Sequence, residues 1–546
     1  MGLRETNLNK MGEREFDALV VGGGINGAVA AAALSARGAQ TALIDRGDWG
    51  GFTSQQSSNL IWGGIKYLEN YEFSLVWDLC ESRNRLMEAY PSNVKEIRFF
   101  TAVRPSFRWH PLFMFAGTWA YWLFGRGYTR IPRYLSRSSI EREMPSIDAS
   151  QFRGGAEYSD AYLVDNDARF VFNFVRSGLN FGAIAANYVE LLEAERIASG
   201  WRARLRCVES GIEKVVRSRV LVNAAGPYTD RVVERVGTQT EHRHVFAKGI
   251  HLLVDQVVDD EKVLTFFDET GRMFFVIPMG PRSVIGTTDT RVNEPESRVT
   301  AEDREFLFRN VNACLKLERP LGPESIIAER CGVRPLVVQG SDYKDDDGQW
   351  FNLSRKHVLE RGDGIVSMYG GKLTDCLNIG EEVVEHVAAM GVGLSAERRQ
   401  WFGEPPEEVR REFFRQAHLM GLDDLREQTT FELLSTRLWR RYGLRAFTML
   451  EAIRREPAMD DVLIEKAQYL RCELHHAALT EMVTRLEDFM RRRSKIALVV
   501  AHQELQGQSG VMEACQILFG ADAERRYREY FDDHATGYIE ELGGAA

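Results

Sequence analysis

The 546-residue sequence has few cysteines and no pair of them in a C-x-x-C arrangement. Its seven cysteines are scattered, so neither a zinc site nor a disulfide framework is indicated. The polar first fifteen residues lack the apolar core of a signal peptide. A run of about eighteen apolar residues is also absent, which predicts a chain that does not span a membrane. A reducing cytoplasm fits these absences best.

The sequence has no excess of basic residues. Lys and Arg number 69 against 79 Asp and Glu, and the formal charge of −10 argues against nucleic acid as the main partner. The hydrophobic content of 44% and the charged content of 27% are typical of a globular chain. At this length two or three domains are expected.

A strand, a turn and a helix follow one another near the start of the chain. Residues 16–24 (FDALVVGGG) have the pattern of a buried parallel strand. Residues 25–37 (INGAVAAAALSAR) predict a helix with Gly38 as its C-cap, and residues 40–45 (QTALID) predict a second strand. The sequence therefore predicts a βαβ unit.

The turn of this unit has the spacing of a dinucleotide-binding fingerprint. Gly22, Gly24 and Gly27 form G-x-G-x-x-G between strand and helix, and Asp45 ends the second strand. These glycines permit the turn, the approach of a pyrophosphate to the backbone, and close packing of helix on strand. Asp45 is placed to accept hydrogen bonds from an adenosine ribose. The fingerprint by itself fits NAD or FAD.

The middle of the chain reads as mixed α/β. Further strands are predicted at residues 220–226, 251–254, 273–279 and 283–289. The second glycine-marked strand, near residue 220, comes long after the fingerprint. A nucleotide domain assembled from distant pieces is typical of flavoproteins of the glutathione reductase type, so fold analogy favours FAD.

The sequence pattern changes near residue 399, from mixed strands and helices to mainly helices. Residues 404–413 look like a linker entering a helix, and residues 461–486 have helical periodicity with few strand-like runs. We expect an N-terminal tail over residues 1–15, an oxidoreductase region over 16–400 with interleaved FAD-binding and substrate subdomains, and an α-helical C-terminal domain over 403–546.

A series of motifs resembles FAD-dependent glycerol-3-phosphate dehydrogenases and the related oxidases. Residues 53–73 (TSQQSSNLIWGGIKYLENYEF) resemble the flavin-contacting segment of that family. The other matches follow in the family's order: EYSD at 157–160, DAR at 167–169, NAAGPY from 223, KGIH at 248–251, IGTTD from 285, GVRPL from 332, YGGKLT from 369, RYG at 441–443 and EDFMRRRSKIAL at 487–498. The resemblance covers about residues 16–505 and implies an α/β fold with a Rossmann-like FAD-binding domain.

The resemblance also implies a reaction. The family oxidises sn-glycerol 3-phosphate to dihydroxyacetone phosphate by hydride transfer to flavin N5 and passes the electrons to quinone, or to oxygen in the oxidases. It implies a cytoplasmic protein that is peripheral on the inner face of the membrane, and leaves a homodimer open. The alternatives are a dehydrogenase or oxidase of another phosphorylated polyol or hydroxy acid, and a flavin-binding protein with altered catalysis.

Three residues carry the expected chemistry, which needs cations for a phosphate and a base for a hydroxyl proton. The resemblance places Arg334 and Lys372 at the substrate and His251 near the flavin as the base. Further substrate contacts are implied for Trp62, Lys66 and Tyr67. The implied FAD contacts are Gly22, Gly24, Asn26, Gly27, Asp45, Thr53, Ser54, Ser57, Ser58, Gly63, Gly64, Gly226, Gly370, Gly371, Leu373 and Thr374.

Two of these positions depart from the family pattern. Family members commonly read LIHGGLRY where this chain has LIWGGIKY, which puts Trp62 in place of histidine and Lys66 in place of arginine. Lysine keeps the charge and loses the two-point fork, and tryptophan brings a bulky ring with one donor. The departures keep other substrates open.

The GGKLT motif lies between a predicted strand and a predicted helix. Backbone N–H groups at a helix N-terminus stabilise anions, so this turn suits the negative edge of a reduced flavin. Residues 341–350 (SDYKDDDGQW) lack the glycine and terminal glutamate of a calcium loop and predict a solvated hairpin without metal.

A segment without acidic residues extends over residues 97–140. Seven arginines flank its aromatic core WHPLFMFAGTWAYWLFG at residues 109–125, namely Arg98, Arg104, Arg108, Arg126, Arg130, Arg133 and Arg137. This composition fits a segment lying on an anionic bilayer surface. A buried helix packed on the substrate domain fits equally well.

Overall fold

The computed structural model describes residues 2–258, 261–340, 353, 356–425 and 432–536. The described residues form two compact units, one over residues 7–402 and one of residues 2–6 together with those from 403 onwards. The hairpin expected at residues 341–350 lies outside the described residues.

The strands, numbered along the chain, are β1 (Glu15–Val21), β2 (Thr41–Ile44), β3 (Leu60–Ile61), β4 (Val94–Val103), β5 (Arg133–Ser136), β6 (Gly154–Leu163), β7 (Ile184–Ala186), β8 (Val189–Ile197), β9 (Gly200–Cys207), β10 (Glu213–Asn223), β11 (His242–Asp255), β12 (Lys262–Phe267), β13 (Met273–Met279), β14 (Arg282–Gly286), β15 (Thr290–Val292), β16 (Ala328–Gln339), β17 (Val358–Arg361), β18 (Ile365–Tyr369), β19 (Val462–Ile464) and β20 (Tyr469–Leu470).

The α-helices are α1 (Leu3–Glu13), α2 (Ile25–Ala36), α3 (Phe73–Ala89), α4 (Pro111–Phe124), α5 (Arg137–Glu143), α6 (Asp167–Asn180), α7 (Thr229–Arg235), α8 (Ala301–Asn312), α9 (Cys376–Ala389), α10 (Glu407–Leu419), α11 (Leu434–Tyr442), α12 (Ala446–Arg455), α13 (Arg471–Thr480), α14 (Ile496–Val499), α15 (His502–Leu505), α16 (Ser509–Phe519) and α17 (Ala523–Thr536).

The first sheet contains β1 and β2, the strands on either side of the glycine fingerprint and its helix. Its strand order is β17-β18-β10-β1-β2-β7, with β9 and β8 continuing from β10. β1 pairs in parallel with β10 and β2, and β10 pairs in parallel with β18, so strands from three distant parts of the sequence meet at its centre. Every residue of α2 is buried, because its alanines let it pack closely against α6 and α9. The predicted βαβ unit and the α/β fold class are confirmed.

The second sheet belongs to the same unit, residues 7–402. Its strand order is β15-β11-β14-β13-β12-β4-β6-β3, with β16 paired to β11 and β5 paired to β6. Apolar side chains on alternate positions of β11, such as Ile250, Leu252 and Val254, are buried in the core on one face. Because side chains alternate along a strand, the residues between them face the opposite side of the sheet, and His251 is one of these residues.

The unit that begins at residue 403 is mainly helical, as expected. Its core includes Phe413, Leu438, Trp439 and Leu450. The prediction of helix throughout residues 461–486 is wrong, because β19 and β20 form a short antiparallel hairpin before α13. Gln468 has a left-handed backbone (φ 51°) that reverses the chain there.

The first residues also differ from the expected tail. They form the helix α1, and Met11 is buried against the core of the first sheet. Helical periodicity is weak in this polar segment, so the sequence predicted neither the helix nor the burial of Met11.

Candidate active site

The fingerprint turn has the shape that only glycine permits. Gly22 has φ 107°, and a Cβ there would lie 2.4 Å from the carbonyl oxygen of Ala224. A Cβ on Gly27 would lie 1.8 Å from the carbonyl oxygen of Gly22. Gly24 is the N-cap of α2, and the N–H of Ile25, the first residue of the helix, donates to Ser54 Oγ at 3.1 Å. The turn therefore forms a close-packed cradle at a helix N-terminus, which fits a pyrophosphate.

Asp45 braces this turn from the end of β2. Its carboxylate accepts hydrogen bonds from the backbone N–H groups of Gly23 at 2.6 Å and Gly47 at 2.7 Å. Burial raises the pKa of Asp45 to about 6, although both hydrogen bonds oppose that shift. A carboxylate has about four acceptor positions. The two backbone bonds therefore leave acceptor positions for the expected ribose contact, which stays a prediction.

A cavity of about 420 Å³ is lined by residues between Thr53 and Asn70, by residues of the second sheet and by the glycine turn after β18. Fourteen of the expected site residues line it: Thr53, Ser54, Ser57, Ser58, Trp62, Lys66, Tyr67, His251, Arg334, Gly370, Gly371, Lys372, Leu373 and Thr374. They come from segments more than three hundred residues apart in the sequence. The fold thus brings the expected substrate contacts and much of the expected flavin segment to one place.

The remaining expected contacts lie behind this lining. Asn26 donates from Nδ2 to the carbonyl oxygen of Gly370 at 3.0 Å, and Gly64 has a left-handed backbone (φ 81°). Gly226 lies in the turn after β10, where an added Cβ would meet none of the surrounding atoms within 4 Å. The N–H of Gly63 is directed at the carboxylate of Asp160, with 3.2 Å to Oδ1. Direct contact of these glycines with a cofactor remains a prediction.

The described lining of the cavity is strongly cationic. It includes one carboxylate, Asp289, and five cations, which are Lys66, Arg272, Arg334, Lys356 and Lys372. A concave surface of this charge attracts anions and concentrates them. A polyol with a phosphate fits this cavity better than an uncharged one.

His251 lies on β11, opposite Gly286 of β14 and Arg330 of β16. Its ring is buried, and neither ring nitrogen has a hydrogen-bond partner among the described residues. Burial, with the positive charges of Arg330 and Arg334, holds the pKa of His251 well below its usual value. A neutral imidazole in the cavity wall can accept a proton from a bound hydroxyl.

Arg334 and Lys372 approach the cavity from different elements. Arg334, on β16, donates to Thr287 Oγ1 at 2.9 Å and lies 3.3 Å from Asp289 Oδ1. Lys372 follows the glycine turn, and its Nζ lies 4.0 Å from the centre of the Tyr67 ring. The cation–π contact and the hydrogen bonds fix both charges before a ligand arrives.

Trp62 and Lys66, the two departures from the family pattern, share the cavity wall. The Trp62 ring lies 6.1 Å from that of Tyr67 and 6.4 Å from that of Phe275, between centroids. Its carbonyl oxygen accepts from Thr374 Oγ1 at 3.3 Å. Trp62 therefore forms an aromatic wall next to the glycine turn after β18, and Lys66 is exposed at the same cavity.

Two acids that support this lining, Asp160 and Asp167, were quoted in motifs but given no role. Asp167 accepts hydrogen bonds from the N–H and Oγ of Ser57, and Arg330 donates to the Ser57 carbonyl oxygen and to Asn59 Oδ1. Asp160 accepts from Tyr121 Oη at 2.6 Å and pairs with Arg83 at 3.1 Å. Buried acids inside the EYSD and DAR motifs were the signal that points to them.

Comparison with known proteins agrees with this geometry. Residues 17–375 match the family described as FAD dependent oxidoreductase, and residues 420–526 match the C-terminal domain of alpha-glycerophosphate oxidase. The chain is 30% identical over 503 residues to the glycerol-3-phosphate dehydrogenase of Pseudomonas aeruginosa, covering 89% of this chain and 93% of that protein. The chain belongs to the FAD-dependent glycerol-3-phosphate dehydrogenase family. FAD is its cofactor.

Other members of this family are similar over most of their length. Glycerol-3-phosphate dehydrogenase 2 of Mycobacterium tuberculosis is 29% identical over 541 residues, covering 95% of this chain and 88% of that protein. The solved glycerol-3-phosphate dehydrogenase of Bacillus halodurans, complexed with FAD, superposes with a TM-score of 0.73 at 20% identity, over 98% of this chain and 97% of that one. The structural likeness confirms the fold, including the helical C-terminal region.

Proposed function

We propose that this member of the family oxidises sn-glycerol 3-phosphate to dihydroxyacetone phosphate and passes the electrons to a quinone. The observation that carries the proposal is the cavity in which His251, Arg334, Lys372 and Lys66 meet the glycine turn after β18. The names of the relatives support the same substrate.

The side chains divide the work between binding and proton transfer. Lys66, Lys372 and Arg334 hold the phosphate and the oxygen that becomes the ketone, since each supplies a charge-assisted donor. The bound FAD supplies the hydride acceptor. A ring nitrogen of His251 takes the hydroxyl proton as the carbon–hydrogen bond breaks.

The low pKa of His251 is compatible with this role. Burial and two arginines depress it in the free cavity. A bound phosphate dianion offsets part of that positive charge, which raises the pKa of His251 when substrate is present. The base is thus neutral before binding and becomes stronger after binding.

The test is anaerobic bleaching of the bound flavin by a panel of polyol phosphates and hydroxy acids. We expect glycerol 3-phosphate to bleach it and unphosphorylated glycerol to be far less effective. If only another polyol phosphate bleaches the flavin, that compound is the substrate instead of glycerol 3-phosphate. Such a compound is the second candidate, because Trp62 and Lys66 depart from the family pattern. A flavin that no member of the panel reduces would favour a protein with altered catalysis.

The exposed apolar surface around α4 is relevant to the expected quinone acceptor. The apolar surface consists of exposed side chains on α4 and its neighbours: Tyr71, Phe73, Trp77, Leu112, Phe113, Trp119, Leu123, Tyr128 and Ile131. Leu112, Phe113 and Leu123 are 56%, 57% and 62% exposed, so α4 is not buried on all sides. No helix in the described part of the chain is long and apolar enough to cross a membrane.

The arginines of this region contribute less charge than the sequence suggested. Arg108, Arg126 and Arg130 each form an ion pair, with Glu69, Glu81 and Glu96 respectively. We infer that the apolar surface, rather than net positive charge, docks on a bilayer, where aromatic side chains favour the interface. Sedimentation with vesicles of neutral and anionic lipid tests this. Pelleting with both supports insertion of the apolar surface, and no pelleting at all contradicts it.

A further inference from the structure

The turn after β18 is held on both sides of one residue, Gly370. Its backbone N–H donates to Nε2 of His244 at 3.1 Å, and its carbonyl oxygen accepts from Nδ2 of Asn26 at 3.0 Å. His244 lies on β11 in the second sheet, and Asn26 lies in the first turn of the fingerprint helix α2. Two distant elements therefore clamp a single glycine.

The clamped turn consists of two glycines that other residues cannot replace without strain. Gly370 and Gly371 have φ 67° and 111°, in the region that favours glycine. A Cβ on Gly370 would lie 2.9 Å from Val337 Cγ2, and one on Gly371 would lie 2.8 Å from Asn26 Nδ2. The chain then continues through Lys372 into the lining of the cavity. A shift of Gly370 would redirect every amide that follows it.

His244 can hold Gly370 only while Nε2 carries no proton. The ring is buried, and burial lowers the pKa of His244 to about 3, so the imidazole is neutral at physiological pH. Because Nε2 accepts a hydrogen bond, the proton lies on Nδ1, which is 3.9 Å from Asp230 Oδ2. Nδ1 has no hydrogen-bond partner among the described residues, and this tautomer leaves Nε2 as the acceptor for Gly370.

We propose that His244 is a positioning residue for the flavin-facing turn, acting with Asn26 through the peptide groups of Gly370. His244 lies outside every motif quoted above. Amides directed at the cavity from a helix N-terminus stabilise negative charge, and reduced flavin carries more of it than oxidised flavin. Losing the clamp should therefore weaken binding of the reduced cofactor more than binding of the oxidised one.

The test compares three variants of the full FAD-loaded chain: His244→Ala, His244→Gln and His242→Ala. His242 is the matched control, because it lies on the same strand but its ring bonds to Glu360 at 2.8 Å. The measurements are the two-electron midpoint potential of the flavin and the dissociation constant of FAD. We expect His244→Ala to weaken reduced relative to oxidised FAD by about tenfold, a potential about 30 mV more negative.

The conservative variant should restore the potential. Glutamine can place its amide oxygen near the position of Nε2, so His244→Gln should recover most of the potential, and His242→Ala should match wild type. The proposal is overturned if His244→Ala behaves like His242→Ala, or if His244→Gln is as altered as His244→Ala. If His244→Ala retains no FAD, retention by His244→Gln supports the clamp and its failure to retain FAD overturns it. Neither measurement depends on the substrate.

Discussion

Arg334→Ala should slow reduction of the flavin by glycerol 3-phosphate while FAD stays bound. The guanidinium is held by Thr287 and Asp289, so it is directed at the cavity before substrate arrives. Losing one such charge-assisted contact removes about 2 to 4 kcal/mol of transition-state stabilisation. At about 1.36 kcal/mol per factor of ten, the rate should fall roughly 30- to 900-fold. Asp289 is about a quarter exposed, so water can replace its lost partner and folding should survive.

The assay is anaerobic stopped-flow absorbance of the flavin band, with FAD content measured on the same sample. Arg334→Lys keeps the charge without the planar fork and should give an intermediate rate. Arg361→Ala is the matched control, since Arg361 is exposed at the end of β17. A near wild-type rate in Arg334→Ala with full FAD content would refute the assignment. A similar fall in Arg361→Ala would show that the effect is not specific to the cavity.

Four further results are expected. Gly286→Ala should slow flavin reduction and keep FAD, because a Cβ there would lie 2.3 Å from His251 Cδ2 and displace the ring; unchanged kinetics would argue against His251 as the base. Lys66→Arg should tighten glycerol 3-phosphate by roughly 1 kcal/mol, and weaker binding in equilibrium titration would mean that Lys66 does not meet the phosphate. Burial lowers the pKa of His357, but hydrogen bonds to Asp375 and Glu382 outweigh it and raise the pKa to about 9. This folded pKa lies above the unfolded value of about 6.5, so the stabilisation from the protonated ring is complete below pH 6.5 and is lost as the pH rises through 9. In urea titrations, His357→Gln should therefore reduce the free energy of unfolding at about pH 6 and change it little at about pH 10. Leu112→Glu with Leu123→Glu should abolish vesicle pelleting without altering flavin reduction, and continued pelleting would point to another docking surface.

The βαβ unit at the start of the first sheet was predictable because its signals are local, whereas β7, β8, β9 and β17 were not predicted. Residues 16–45 carry apolar strands, an alanine-rich helix and glycines at fixed spacing, and each feature follows from short-range sterics. β13 was also predicted with its observed bounds, since its apolar run is flanked by turn residues. The hairpin of β19 and β20 was missed because two short strands depend on pairing with each other and not on periodicity.

The candidate site was predictable only as separate motifs. That His251, Arg334 and Lys372 line one cavity depends on the pairing of β11 with β16 and on the turn after β18, which spacing in the sequence does not specify. His244 was missed for a related reason. Its partner is the backbone N–H of Gly370, and a contact with a backbone group cannot be predicted from the pattern of side chains.

The acidic partners of the arginines near α4 were missed as well. Glu69 and Glu81 lie outside the acid-free segment in sequence but are brought beside Arg108 and Arg126 by the fold. Composition along the chain overestimates the charge of a surface when neighbouring elements supply the opposite sign.

The central claim is hydride transfer from C2 of glycerol 3-phosphate to the bound flavin, and its most direct test uses substrate deuterated at C2. Anaerobic bleaching of the flavin should occur with both substrates, with dihydroxyacetone phosphate as product, and should be slower with the deuterated one because its carbon–deuterium bond must break. A flavin that glycerol 3-phosphate leaves oxidised, in protein that carries its full complement of FAD, would contradict the account.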